Sequence, residues 1–260
     1  MIKGFYAAAS AMLAGPTRQN LISHNLANVD TPGFKQVMTS LDDFVETSVS
    51  TRPELVTFPH PARLVSTPRG LGDLGLGVET ITPVTDFENG ALRQTGVLTD
   101  LALTGSGFFR VQTPEGERYT RDGRFLRDVD GSLVTVDGFF VLDDAGAPLQ
   151  LPEGTLAVDG TGALTVDGQP AGQLGLAAFT DPAAELTRDP EQGNLFIAAG
   201  GPTGAIVGGV QQGYLETANL NPAQLMTQMV AVGRAYEAAQ RLVQVQDELL
   251  GRAVASLGRL

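Results

Sequence analysis

"HNLANVDTPGFK", residues 24–35, closes an apparent helix with amides and an imidazole rather than core residues, and what stops there sets the layout of the chain. Upstream, Phe5, Ala9, Met12, Pro16, Gln19, Ser23 and Leu26 recur at spacings of four and three, the period of one helix face. Pro16 lacks a backbone donor, so a bend is expected at that point. After Asn28, the sequence Asp30-Thr31-Pro32-Gly33 has turn chemistry, with proline pre-setting one φ and glycine supplying a positive one. Asn28 tolerates the left-handed conformation that ends many helices. Asn25, Asn28, Pro32 and Gly33 are therefore read as helix stop and turn, and residues 1–28 as an N-terminal helix.

The other end has the same character at greater length. Asn221-Pro222 supplies an N-cap and a proline at the first helical position. From there Leu225, Met229, Val232, Tyr236, Ala239, Val243, Gln246, Leu250, Ala253 and Leu257 alternate spacings of four and three, a coiled-coil seam. A helix from 222 to 257 is ~54 Å long, and the N-terminal one nearer ~40 Å, at 1.5 Å per residue. The shorter cannot cover the longer. A second row, Met226, Val230, Leu242, Val245 and Leu249, widens the apolar face beyond what one partner helix hides. The reading favours packing against other subunits over burial on the chain's own β domain, with Phe5, Met12, Leu26, Leu225, Met229, Val232, Tyr236, Val243, Leu250 and Leu257 at the interface.

Between the helices the chain is β in character. Asp-Gly pairs at Asp122, Asp130, Asp137, Asp159 and Asp167 punctuate short Val-, Leu-, Phe- and Thr-rich runs, as hairpin turns do. Residues 36–75 hold four prolines and little periodicity after Phe44. Such a length of structureless chain is unusual inside a compact domain, so it reads as an extended strap ordered by assembly. The expected fold class is α+β: terminal helices forming a coiled-coil-like core segment, a central mainly antiparallel β domain and an extended linker. The divisions are 1–28, N-terminal core helix; 29–77, turn and strap; 78–212, β-rich outer domain; and 213–260, C-terminal core helix.

Composition narrows the function. The chain has 260 residues, 42% hydrophobic and 18% charged, with 32 glycines, 15 prolines and no cysteine, which describes a turn-rich globular protein without disulfides or thiolate metal sites. Its net charge is −12, with +2 over residues 1–40 and +1 over 220–260, so the middle carries −15. Phosphate backbones repel such a middle, and nucleic acid is rejected as a partner. No run reaches the ~20 apolar residues of a membrane helix. "MIKGFYAAASAMLAG" has the outline of a secretion signal, but it is rich in alanine and its pattern continues past Gly15, so an intact helix is favoured.

Apparent chemical motifs dissolve on inspection. Gly70 to Gly75 fits G-x-G-x-x-G, yet no buried strand precedes it and Gly77 and Pro83 fall where a helix should open. Asp128-Val129-Asp130-Gly131 hints at a calcium loop, but Leu133 and Phe139 occupy positions that need Gly and Glu. His24 and His60 are the only histidines, and neither lies in a metal or triad setting. No catalytic, cofactor-binding or metal-binding residue is assigned, and the chain is read as not an enzyme. A carbohydrate-active β protein would need convergent carboxylates of separated pKa; a secreted adhesin or binding module would need N-terminal processing.

The two ends carry a resemblance. "NLANVDTPGFK" (25–35) is similar to the segment closing the N-terminal helix of bacterial flagellar rod and hook proteins, and "LTGSGFFRV", "YTRDGRF", "GYLETANLN" and "RAYEAAQ" continue the likeness in order over nearly the whole chain. The resemblance implies an axial structural protein that assembles with itself and with other flagellar rod and hook proteins. Its terminal helices would pack in the inner core of a tubular rod, with the β domain facing outward. It also implies export, through the flagellar export apparatus and without a cleaved signal, to the basal body. The long segment between Lys35 and Gly77 resembles the insert of a distal-type rod protein more than the shorter one of proximal types, and no additional outer domain of the hook kind is visible.

Overall fold

The computed structural model describes residues 2–39, 41–43, 46–50, 55–56, 63–64, 70–75, 78–80 and 83–257, and side chains over 8–39, 83–252 and 254–255. A helix spans Ile2–Ala27, with Pro16 inside it, and another spans Pro222–Leu257. The second opens as its sequence dictates: Asn221 accepts from the Gln224 N–H through its side chain (3.3 Å) and from the Leu225 N–H through its carbonyl (3.0 Å), while Pro222 needs no partner for a missing N–H. Among the described residues between them, the strands pair antiparallel and one further short helix spans Pro182–Glu185, so the fold is α+β.

Two compact units divide the chain. The first comprises Met1–Ser23, Thr39–Pro83 and Met226–Leu260. Within it, Leu41–Asp43 pairs with Val78–Thr80, Glu46–Ser50 with Gly70–Gly75, and Leu55–Val56 with Arg63–Leu64, all antiparallel. Within and just beyond the stretch read as turn and extended strap, 29–77, the described residues between 41 and 80 form nested pairs. A segment with little side-chain alternation gives no period-2 signal, yet its backbone groups still require partners and find them in each other. The G-x-G-x-x-G stretch is one of these strands.

The second unit comprises His24–Met38 and Val84–Leu225. Its largest sheet runs, in spatial order, 125–127, 133–135, 140–141, 108–113, 116–120, 195–198 and 186–188, with 176–177 added to 108–113. Along strand Phe108–Thr113, Phe109, Val111 and Thr113 are buried on one face, while on the other Phe108 is buried, Arg110 half-buried and Gln112 exposed, as successive side chains point oppositely. Phe109 and Val111 enter a core with Leu101, Phe125, Leu133 and Leu164, where Phe109 meets Phe125 edge-on at 5.0 Å. Phe108 enters a second core with Tyr119, Phe179, Leu186 and Phe196. The unit takes in the helix stop and residues 213–225 together with 84–212, while 78–83 fall in the first unit.

The hairpin signals divide by chemistry. Asp167 (φ +49°) and Gly168 (φ +79°) form the two-residue turn joining 163–166 to 169–173, with both central residues left-handed as that turn requires. Gly131 and Gly138 also have positive φ. Asp122-Gly123 is not a hairpin turn: strands 116–120 and 125–127 do not pair, and Gly123 is glycine because an added Cβ would lie 1.6 Å from the Leu101 carbonyl oxygen.

Candidate assembly interface

The helix stop is a docking element built from backbone. Asn25, 2% exposed, donates to the Val37 carbonyl (2.7 Å) and accepts from the Val37 N–H (3.0 Å), offering what a neighbouring strand would offer. Asn28 donates back to the His24 carbonyl at 2.9 Å and accepts from Thr31 Oγ1 at 3.2 Å, which closes the last helical turn. Pro32, Gly33, Phe34 and Lys35 are all buried. Gly33 has φ +67° and donates its N–H to the Glu216 carbonyl at 2.8 Å. Replacing Asn25 with Ala leaves both Val37 backbone groups buried without partners, at about 1–3 kcal/mol each; a denaturant melt of the purified chain should show about 2–4 kcal/mol less stability.

Beneath this turn lies a buried ionic group. Lys35 Nζ contacts Glu216 Oε1 at 2.8 Å and donates to the Glu88 carbonyl at 2.7 Å. Arg121 Nη1 meets Glu216 Oε2 at 3.2 Å, and Gly90 donates its N–H to Glu216 Oε1 at 2.8 Å. Both cations and the carboxylate are buried, two positive charges on one negative. Burial holds the Lys35 amine below its ordinary value against the opposing pull of Glu216, and burial likewise lowers Arg121. Asn219 accepts from the Gln36 N–H at 2.7 Å and donates to the Asp86 and Glu88 carbonyls. Arg188 stacks on the Phe34 ring at 4.6 Å and on Phe196 at 5.1 Å while donating to the Lys35 carbonyl at 2.7 Å; its burial takes its pKa down to about 10. His24 lies against Phe34 at 5.5 Å, its pKa lowered by burial and then by the Arg188 charge.

The helical seam is only partly covered. Leu225, Val232 and Ala239, seven residues apart, are buried, and Met229, Tyr236 and Val243 are half-buried. Leu250 is 48% exposed, and Met226, Val230, Leu242, Val245, Leu249 and Val254 are all exposed. On the N-terminal helix Met12 and Leu26 are half-buried, but Pro16, Gln19 and Ser23 face outward. The buried stripe is instead Ala8, Ala14, Ile22 and Asn25, with Gly15 facing Tyr236 of the C-terminal helix. The proposed row was displaced around the helix, because alanines on several faces supply little contrast for the period to register. The side chains of Phe5 and Leu257 lie outside the described residues.

Lys35, Arg121, Glu216 and Asn219 were not singled out from sequence. The available signal was that each of three short motifs, "NLANVDTPGFK", "YTRDGRF" and "GYLETANLN", carries a charge or amide among residues otherwise suited to packing and turns. Among the described residues no group of carboxylates and imidazoles is placed to hold a metal ion. What the cluster can do is structural: it ties the N-terminal turn, a β hairpin and the segment entering the C-terminal helix into one body.

Three family descriptions match the chain in order: "Flagella basal body rod protein" over residues 5–35, "Flagellar hook protein FlgE/F/G D1 domain" over 102–170, and "Flagellar basal body rod FlgEFG protein C-terminal" over 211–256. The flagellar basal-body rod protein FlgG of Buchnera aphidicola subsp. Acyrthosiphon pisum is 32% identical, the match covering 96% of this chain and 98% of that one. The chain belongs to the flagellar basal-body rod protein family. FlgG of Borreliella burgdorferi is 30% identical over 97% of this chain and 98% of its own length. FlgF of Rhizobium meliloti is 31% identical over 99% of both. The buried cluster draws on all three matched regions of this rod-family chain: Asn25, Gly33 and Lys35 on the first, Arg121 on the second, Glu216 and Asn219 on the third.

Proposed function

We propose that this chain is a structural subunit of the flagellar basal-body rod, assembling with itself and with other axial proteins into the shaft that carries torque from motor to hook. The observation that carries the reading, beside family membership, is the exposed apolar row along the C-terminal helix, from Met226 to Val254. A row of that length needs cover, and an open helical array supplies it by heterologous contact between copies. The terminal helices, 1–28 and 213–260, are proposed as the inner core, 78–212 as the outer domain and 29–77 as the connection between them. Leu225, Met229, Val232, Tyr236, Val243, Leu250 and Leu257, with Phe5, Met12 and Leu26, are proposed to lie in the helical contacts, paired in coiled-coil fashion. The acidic middle keeps free subunits soluble and disfavours nucleic acid.

The proposed location is the basal body, reached through the flagellar export apparatus without signal cleavage. No described helix is long and apolar enough to cross a membrane. The subunit is proposed to have no enzymatic activity. A distal-type, FlgG-like position is favoured by the length of the segment between Lys35 and Gly77. A proximal or hook-type position is the second reading, since a FlgF protein also matches over nearly the whole chain.

Leu250→Asp tests the reading. An unpaired carboxylate in a desolvated contact is strongly unfavourable, while at an exposed position of the free subunit it is harmless. Sedimentable polymer from purified protein should fall by at least about tenfold, the equivalent of one apolar side chain's burial, with the monomer's melt unchanged and motility lost. Normal incorporation and swimming would remove this helix from the assembly interface.

A further inference from the structure

Asn89-Gly90 is the only Asn-Gly pair in the chain; every other asparagine is followed by leucine, valine or proline. The pair has its own chemistry, because glycine, with no Cβ, leaves its nitrogen unhindered for attack on the preceding side-chain amide. In that step the Gly90 nitrogen gives up its proton and bonds to Asn89 Cγ, the Cγ–Nδ2 bond breaks, and ammonia leaves with the proton. Water then opens the succinimide ring, at Cγ to give aspartate or at the main-chain carbonyl to give isoaspartate, in which the chain runs through Cβ and Cγ. No oxidant, reductant or second substrate is needed.

Asn89 is exposed, so water reaches it, but the groups on either side are fastened to the buried cluster. The Gly90 N–H donates to Glu216 Oε1 at 2.8 Å, the oxygen that also contacts Lys35. The Glu88 carbonyl accepts from Lys35 Nζ at 2.7 Å and from Asn219 Nδ2 at 3.2 Å. The Gly90 backbone is seated on Thr217, whose carbonyl oxygen lies 1.8 Å from where a Cβ would stand, and Thr217 donates its N–H to the Ala91 carbonyl at 2.8 Å. A nitrogen whose proton is held by a buried carboxylate is a poor nucleophile, since losing that proton would set two negative groups side by side where water screens them little. Ring closure would also draw the nitrogen away from Glu216.

We propose that Asn89 is a deamidation site guarded by Glu216: closed in the folded chain, open in the unfolded one, and damaging once isoaspartate forms. Isoaspartate adds a carbon to the main chain between Glu88 and Gly90, so the Glu88 carbonyl cannot stay on Lys35 and Asn219 while the Gly90 N–H stays on Glu216. A copy that ages unfolded thereby loses part of the cluster that ties the N-terminal turn to the segment entering the C-terminal helix, whereas a folded copy is preserved. The proposal stands independently of the rod-subunit reading.

The test is to hold the parent chain at mildly alkaline pH, folded and in urea, and to follow Asn89 by peptide mass spectrometry, scoring isoaspartate by enzymatic methylation. Deamidation should be at least about tenfold slower in the folded chain, the effect of one hydrogen bond to a charged acceptor. Glu216→Ala should remove most of that protection, whereas Asn25→Ala, also destabilising but leaving Gly90 on Glu216, should retain it. If Glu216→Ala does not fold, hydrogen exchange of the Gly90 N–H in the parent replaces it: strong protection is expected, and exchange at the rate of an open loop would overturn the guard. Relative to fresh chain, parent aged in urea should refold less as isoaspartate accumulates, while aged Asn89→Ser, with no amide to lose, should refold fully. Equal rates in the folded chain and in urea, equal protection in the two alanine variants, or normal refolding of isoaspartate-bearing chain would each refute the proposal.

Discussion

Gly33→Ala should remove about 3–5 kcal/mol from the stability of the second unit, a loss at the extreme of single substitutions, for two reasons that can be separated. Gly33 holds φ +67°, which costs a residue with a Cβ roughly 1–2 kcal/mol. The added carbon would also lie 2.3 Å and 2.4 Å from the Arg121 carbonyl carbon and oxygen and 2.5 Å from the Asp122 nitrogen. Those atoms are backbone of the connection between strands 116–120 and 125–127, fixed by the buried Arg121, and cannot swing aside as a side-chain tip would. Gly96 isolates the first effect: its φ is +74° but nothing lies within 4 Å of its would-be Cβ, so Gly96→Ala should cost only the roughly 1–2 kcal/mol of backbone strain. Gly33→Asn tests the second, since asparagine tolerates the left-handed region yet keeps the clash, and it should be nearly as damaging as alanine. Denaturant melts of the three variants decide the matter; equal small losses at Gly33 and Gly96 would show that the turn does not press on the Arg121–Asp122 backbone.

What could be read in advance follows from the range over which each signal acts. The C-terminal helix was legible because its apolar residues differ sharply from their neighbours, and Leu225, Val232 and Ala239 are buried seven apart. The N-terminal helix was legible as a helix but not as a face, since alanines at 7, 8, 9, 11 and 14 let several stripes fit. Asp167-Gly168 announced its turn because the turn's demand for two left-handed residues is satisfied by that dipeptide alone. Gly123 presented the same dipeptide for another reason, the approach of the Leu101 carbonyl, and only the tertiary structure separates the two. The pairing of residues between 41 and 80 rests on backbone groups that every sequence possesses, and it left no pattern to find. Lys35 and Glu216 are 181 positions apart and Arg121 and Glu216 are 95 apart, so no window of local sequence contains the reason for any of the three charges.

Those charges carry the second large expectation. Glu216→Gln should destabilise the unit by about 3–5 kcal/mol, the cost of removing one partner from a buried ionic group, because Lys35 and Arg121 would remain buried with no anion between them. Lys35→Met should cost less, since it leaves one arginine facing one carboxylate and the Gly90 N–H still bonded to Glu216. In the Glu216→Gln background, Lys35→Met should restore stability, because it removes a cation that has lost its counter-charge; a double-mutant cycle reads that change of sign. The pH dependence gives an independent check. The Lys35 amine is already below its reference of 10.5 through burial, with Glu216 pulling it upward; without Glu216 it must fall further. Between the folded value and 10.5 the unfolded chain binds the proton that the folded chain has released, so stability there rises with pH. The deficit of Glu216→Gln relative to the parent should therefore shrink as pH is raised from neutrality toward 10, whereas the deficit of Gly33→Ala, which involves no titrating group, should stay constant. A Glu216→Gln deficit below about 1 kcal/mol, within the range of an ordinary surface pair, or one independent of pH, would mean that the carboxylate does not hold the turn at Pro32–Lys35 and the segment around Arg121 together.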